Sequence, residues 1–265
     1  MQRRPAHLLA TVALMAALAA GGCSTTAGLW PETTGSIAAA PRTEADWRRE
    51  MEIGSERYRA NPSDPDVAIR YAQALRAVGQ RAQAAAVLEQ AAIHNPQHRA
   101  LLGAYGRALA DNGNYKQALD VLNSAHTQDQ PDWSILSAQG VVLDQMGRHQ
   151  DAQRHYASAL RLMPDEPSVL SNLGLSYALS KNLPESESTL RRAAARPQAE
   201  PKVRQNLALV VGLQGRFQEA EAIARGDLSP GEAAANVAYL RQMLAQQTER
   251  KKPHRGSPLG LSPGS

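Results

Sequence analysis

Histidine and cysteine carry the strongest chemistry available to this chain, so their spacing decides whether it reads as a catalyst. His94 and His98 stand four apart, an interval at which two imidazoles on one helix face could share a metal ion. Asn95-Pro96 falls between them, and proline lacks the amide donor and clashes with the preceding turn, so the helix stops and the pair shares no face. His149 and His155 sit where packing or surface accounts for them. No HExxH stretch, phosphate-cradling glycine loop or Ser/His/Asp arrangement occurs elsewhere. The residues therefore predict no catalytic site, no metal, no cofactor and no small-molecule substrate. What remains is Cys23, the single cysteine, and a pair of carboxamides at Asn172 and Asn206. A carboxamide can hold a peptide backbone with two hydrogen bonds.

Those two asparagines are 34 residues apart, and that interval pervades the chain. Counted from Pro65, five 34-residue blocks begin at Pro65, Arg99, Trp133, Pro167 and Pro201 without insertion or deletion. Position 8 of each block is small (Ala72, Gly106, Gly140, Gly174, Ala208), and so is position 20 (Ala84, Ala118, Ala152, Ser186, Ala220). Position 15 is Gly79, Gly113, Gly147 and Gly215, broken by Lys181; position 27 is Ala91, Ala125, Ala159 and Ala193, broken by Asp227. A period of 34 with these small residues resembles the tetratricopeptide repeat (TPR). The expected fold is all-α: helix-turn-helix repeats stacked into a right-handed superhelix, a scaffold for other proteins.

Each block supports two helices. In the first, Tyr71, Ala72, Leu75 and Val78 recur at helical steps on one face, and Ala84, Val87, Leu88 and Ala91 on another. Gly79 suits a left-handed residue closing the first helix, and Pro96 stops the second. Small side chains at positions 8 and 20 let the helices approach, and larger ones at 7, 11 and 24 fill the remaining space. Such repeats bury their apolar faces only by stacking. Residues 65–234 are therefore expected to hold the five repeats. A capping helix is expected over 42–64, with Trp47, Met51 and Tyr58 turned inward, and another over 231–248, with Ala234, Val237, Leu240, Met243 and Leu244 on one face.

The resemblance also implies a binding surface. In TPR arrays the concave groove is lined mainly by positions 2, 5, 9, 12 and 13 of the first helix of each repeat. Position 9 here is Gln73, Arg107, Val141, Leu175 and Leu209, and position 13 includes Leu179 and Leu213. The groove turns from polar in the first two repeats to apolar in the last three. Val141, Leu175, Leu179, Leu209 and Leu213 either seat an amphipathic helix or apolar peptide or pack between neighbouring helices. Asn172 and Asn206, at position 6, would hold a backbone. The lysine-asparagine clamp of chaperone-tail receptors is absent, since position 5 carries Ile69, Gly103 and Ser137.

The chain ends concern location. Arg3 and Arg4 precede an apolar run from Leu8 to Ala20 that is too short for an ordinary membrane span. Ala20-Gly21-Gly22-Cys23 resembles a bacterial lipobox, with alanine where leucine is usual three residues before the cysteine. Residues 1–22 then read as a lipoprotein signal peptide and Cys23 as the lipidated residue, where acyl chains add about 0.8 kcal/mol per buried CH₂. Cleavage by ordinary signal peptidase near Ala20 is the alternative. Residues 23–41 suit a flexible tether and 249–265 a disordered basic tail. Of the net charge of +4, Arg3 and Arg4 supply +2 and the tail +3, which leaves residues 23–248 near neutral. The basicity therefore does not predict nucleic-acid binding.

Two stretches narrow the resemblance. Arg70 to Ala92 (RYAQALRAVGQRAQAAAVLEQAA) and Ala233 to Gln247 (AAANVAYLRQMLAQQ) are similar to the TadD-type lipoproteins of Flp/Tad (tight adherence) pilus assembly, as is the order of signal, lipobox, tether and five repeats. That family implies a lipid-anchored protein on the periplasmic face of the outer membrane, with no catalytic residues. Its partner would be the pilus secretin or another Tad component. The alternatives are a general periplasmic TPR adaptor that recruits a protease, or an activator of a peptidoglycan enzyme.

Overall fold

The computed structural model describes residues 43–126 and 129–251. The signal peptide, Cys23, the tether and the tail beyond Lys251 lie outside the described residues. Among the described residues every regular element is an α-helix. α1 (Glu44–Ala60) precedes five helix pairs: α2 (Pro65–Ala77) with α3 (Arg81–His94), α4 (Arg99–Asp111) with α5 (Tyr115–Ser124), α6 (Trp133–Gln145) with α7 (His149–Leu162), α8 (Pro167–Leu179) with α9 (Leu183–Ala194), and α10 (Pro201–Leu213) with α11 (Phe217–Ala224). α12 (Pro230–Lys251) follows. The first helix of every pair starts at the first residue of its 34-residue block.

The two helices of a pair are started and stopped by different means. Asp64 accepts from the amides of Asp66 and Val67, Asp132 from those of Ser134 and Ile135, and His98 through Nδ1 from that of Leu101. These side chains satisfy amide donors that the first turn leaves open. The second helices have no side-chain cap and follow directly on the turn that closes the first helix. In the first repeat Gly79 N–H donates to Arg76 O at 3.0 Å and Gln80 N–H to Leu75 O at 2.8 Å, the paired bonds of a Schellman motif. The same pair recurs at Gly113, Gly147, Lys181 and Gly215.

That motif needs a left-handed residue, and the four glycines take φ between 75° and 83°. Lys181 takes φ 66° and forms both bonds, so the repeat keeps its turn against the preference of its side chain. A left-handed L-residue costs roughly 1–2 kcal/mol. Lys181→Gly should therefore raise stability by about 1 kcal/mol after the larger unfolded-state entropy of glycine is subtracted. Urea melting checks this through a higher midpoint at unchanged slope.

Close approach explains position 8. A Cβ on Gly106 would sit 2.5 Å from Leu122 Cγ, one on Gly140 2.5 Å from Tyr156 Cε1, and one on Gly174 2.6 Å from Leu190 Cγ. In each case the obstacle is the position-24 side chain of the same repeat. Real Cβ atoms do not come that close, and the core has no slack to give. Position 27 alanines 91, 125, 159 and 193 are fully buried. Where the series breaks, α11 ends early at Ala224, and Asp227 leaves the helix to accept from Arg204 Nε at 2.7 Å.

The ends are closed by α1 and α12. Met51 and Tyr58 pack on the first repeat, with the Tyr58 and Tyr71 rings 5.6 Å apart. On α12 the inward face begins one residue earlier than the sequence suggests. Ala233, Val237 and Leu240 are buried and Met243 and Leu244 half-buried, while Ala234 faces solvent. Steps of four, three and four residues from 233 to 244 keep one stripe on a 3.6-residue helix, and Ala234 lies off it. α12 also continues through Lys251, three residues beyond the end expected at 248.

Candidate protein-binding groove

Each first helix touches the first helix of the next repeat (α2 with α4, α4 with α6, α6 with α8, α8 with α10), so these five helices make one continuous face. The second helices lie behind them, α3, α5, α7 and α9 each between two first helices and α11 between α10 and α12. Residues at positions 9, 12 and 13 fall along this face, and their surroundings differ from one end to the other.

At the polar end the charged groups brace the stack. Arg76 Nε donates to Asp111 Oδ2 at 2.6 Å across the first two repeats, with only 14% and 3% of the two side chains exposed. Burying a pair this deeply costs both partners solvation, so it fixes register more than it adds stability. Arg107 is half-buried and Nη2 donates to the Ser134 carbonyl at 3.2 Å, tying α4 to the start of α6. Burial, and then the neighbouring Arg76 charge, pull its guanidinium pKa down to about 10, against Asp132 and Asp111. Gln73 is half-buried on the same face.

The asparagines are also engaged. Asn172 Nδ2 donates to Ser137 Oγ at 3.4 Å and Asn206 Nδ2 to Ser171 Oγ at 3.0 Å. Both bonds run from position 6 of one repeat to position 5 of the repeat before it, so part of each carboxamide links adjacent first helices. The sequence signal for this brace is a serine at position 5 followed 35 residues later by asparagine.

At the apolar end the five candidates separate. Val141 is 6% exposed and belongs to the main buried cluster, which removes it from the groove surface. Leu175, Leu179, Leu209 and Leu213 are half-buried. None of the four belongs to a buried cluster or packs against one. Four leucines, two on successive turns of each of two adjacent helices, thus form a stripe on the continuous face. Of the two readings open at these positions, packing suits Val141 and a contact surface suits the leucines.

No group of three or more His, Cys, Asp or Glu side chains stands together as a metal cage among the described residues. His98 is the cap of α4, and His94 Nδ1 lies 3.1 Å from the Gln90 carbonyl oxygen of its own helix. No described helix is long and apolar enough to cross a membrane.

A family model described as the tetratricopeptide repeat matches residues 75–139, and a second with the same description matches 137–201. Residues 75–201 are tetratricopeptide repeats. The solved structures similar to the TPR array include PilW, described as a widely conserved type IV pilus biogenesis factor. It has a TM-score of 0.63 at 15% identity over 73% of this chain and 91% of PilW. The Cut9–Hcn1 hetero-tetramer of the APC/C gives 0.61 at 14% identity, over 78% of this chain and 40% of the other. The human IFIT1 dimer gives 0.60 at 14% identity, over 78% and 52%. At such identities the likeness establishes the all-α solenoid fold and nothing finer. No curated protein sequence matches the chain. TPR arrays are protein-interaction scaffolds, and the groove described here has the parts of one.

Proposed function

We propose that this protein is a non-catalytic TPR scaffold lipoprotein that holds protein partners during Flp/Tad pilus assembly, in support of the outer-membrane secretin. The observation that carries the binding role is the stripe of Leu175, Leu179, Leu209 and Leu213, half-buried on the continuous face and outside the buried clusters. Its shape suits the apolar face of an amphipathic helix or an extended apolar segment. The pilus assignment rests on the similarity of Arg70–Ala92 and Ala233–Gln247 to TadD-type lipoproteins. It agrees with the pilus role named for PilW, which shares the fold. Lipid on Cys23 would anchor the chain to the outer membrane, facing the periplasm. Anchoring confines the repeats near a membrane-bound partner and raises its effective concentration without any new contact.

The test is to crosslink cells, extract the protein from membranes beside a Cys23→Ala version, and identify what accompanies each by mass spectrometry. The expected outcome is secretin with the wild type and several-fold less with Cys23→Ala. Recovery of proteases or cell-wall hydrolases without secretin would replace the pilus role with that of a general periplasmic adaptor or enzyme activator.

A further inference from the structure

The third repeat contains a buried polar network that the other repeats lack. Position 7 is Tyr71 and Tyr105 in the first two repeats and Leu173 and Leu207 in the last two, but in the third it is Gln139, only 2% exposed. In the first two repeats the tyrosine hydroxyl accepts from Gln83 and Gln117, an ordinary side-chain pair within one repeat. Gln139 instead lies between imidazoles of two different repeats. Its Nε2 donates to Asn123 Oδ1 at 2.9 Å and stands 3.2 Å from His126 Nε2, while its Oε1 stands 3.0 Å from His155 Nδ1.

The bonding fixes the protons. A carboxamide nitrogen only donates, so His126 must present the lone pair of Nε2 and keep its proton on Nδ1, which is buried without a partner. A carboxamide oxygen only accepts, so His155 must carry a proton on Nδ1. In this arrangement His126 is neutral. A proton added to His126 Nε2 would face the N–H of Gln139. Turning the carboxamide over relieves that clash, but it presents NH₂ to His155 Nδ1, which must then give up its proton, and it takes the donor away from Asn123. The carboxamide has one accepting end and one donating end, so with both rings protonated one ring always meets an N–H.

We infer that His126, Gln139 and His155 form a pH-sensitive joint between the second and third repeats, closed while His126 is neutral and opened when both imidazoles are protonated. The surroundings offer a second proton no compensation. The charged groups facing His155 are His126, Asp151, Arg154 and Arg148. Asp151 is already held by both Arg148 and Arg154. From α4, Arg99 Nε donates to the Ala125 carbonyl at 3.4 Å, next to His126, and α5 and α6 bring the carboxamides of Asn123 and Gln139 against the rings. Doubly protonated, the joint places two imidazolium ions near three guanidinium ions, those of Arg99, Arg148 and Arg154, and one carboxylate, that of Asp151. Protons have a way in, because a cleft of about 460 Å³ reaches Asn123, Asp151, His155 and Ser158.

The direction of the pH effect follows. Burial, then the neighbouring His126 charge, lower the His155 pKa from its ordinary 6.5, with Asp151 opposing. A histidine lowered in the folded state contributes stability that is present above its ordinary pKa. That stability is lost as pH falls from there towards the folded value. The joint lies where the polar end of the groove meets the apolar end, so its opening would uncouple the two.

The test uses the full chain. Imidazole nitrogen NMR at about pH 7.5 should find the proton on Nδ1 in each ring, and lowering the pH to about 5.5 should perturb the signals of the two rings together. Over the same range the opening equilibrium at the end of α5 and in α6, read as amide exchange divided by its intrinsic rate at each pH, should rise about tenfold, while that of α10 stays level. In His126→Asn, which carries no titrating group at that position, most of the acid-induced rise should vanish. Two rings titrating independently, or a rise in exchange as large in His126→Asn as in the wild type, would overturn the joint. Should His126→Asn fail to fold, the wild-type titration decides alone.

Discussion

Asp144→Ala is expected to destabilise the chain by about 3 kcal/mol in urea melting, which is large against the 5–15 kcal/mol that ordinarily holds a domain together. The buried Asp144 carboxylate accepts from Tyr156 Oη at 3.0 Å, Ser176 Oγ at 2.8 Å and His149 Nδ1 at 2.8 Å. Tyr156 belongs to the second helix of the same repeat and Ser176 to the first helix of the next, so one side chain pins three helices. Alanine would leave the fully buried Tyr156 hydroxyl without an acceptor, at roughly 1–3 kcal/mol, and the Ser176 hydroxyl with only the long bond to the His149 carbonyl at 3.5 Å. Against this stands the desolvation of the carboxylate, which raises the Asp144 pKa and is only partly offset by His149, Ser176 and Tyr156. A carboxyl group raised in the folded state favours the protonated form. Its ionisation therefore removes stability as pH rises through the folded value, and that slope should disappear in Asp144→Ala. Asp144→Asn keeps one accepting oxygen and should cost about half as much. A neutral Asp144→Ala would mean that desolvation cancels all three hydrogen bonds.

The period was legible because close approach leaves no choice of residue. Position 8 must be small wherever a position-24 side chain lies 2.5–2.6 Å from where its Cβ would be, as at Gly106, Gly140 and Gly174. Position 15 must tolerate a left-handed backbone, which four glycines announce and Lys181 hides. The start of the stripe on α12 was less legible, since Ala233 and Ala234 are chemically alike and only packing tells which one faces inward.

Repeat position alone does not decide which groove side chains reach the surface. Val141 occupies position 9 as Leu175 and Leu209 do, yet its short branched side chain ends within the packed surface, where leucine's additional methylene extends beyond it. Arg107, Asn172 and Asn206 form bonds to residues 27 or 35 positions away. Such bonds depend on the offset between neighbouring repeats, which periodicity alone does not supply. The His126–Gln139–His155 network was missed for the same reason. His155 reads as an ordinary repeat residue until His126 is brought against it from the preceding repeat.

The central claim is that the leucine stripe of the last repeats holds the partner, and Leu175→Asp with Leu209→Asp tests it most directly. Both side chains are half-buried on the continuous face and outside every buried cluster, so aspartate can stay solvated there with little loss of stability. Facing an apolar partner, each carboxylate would be desolvated without a counter-charge, and the loss should exceed about tenfold in affinity. The measurement is the amount of crosslinked partner recovered with the double variant, taken beside its melting curve. Partner lost with a cooperative melt at nearly the wild-type midpoint is the predicted result. Partner retained at wild-type yield, or a melt that loses its cooperativity, would contradict the groove.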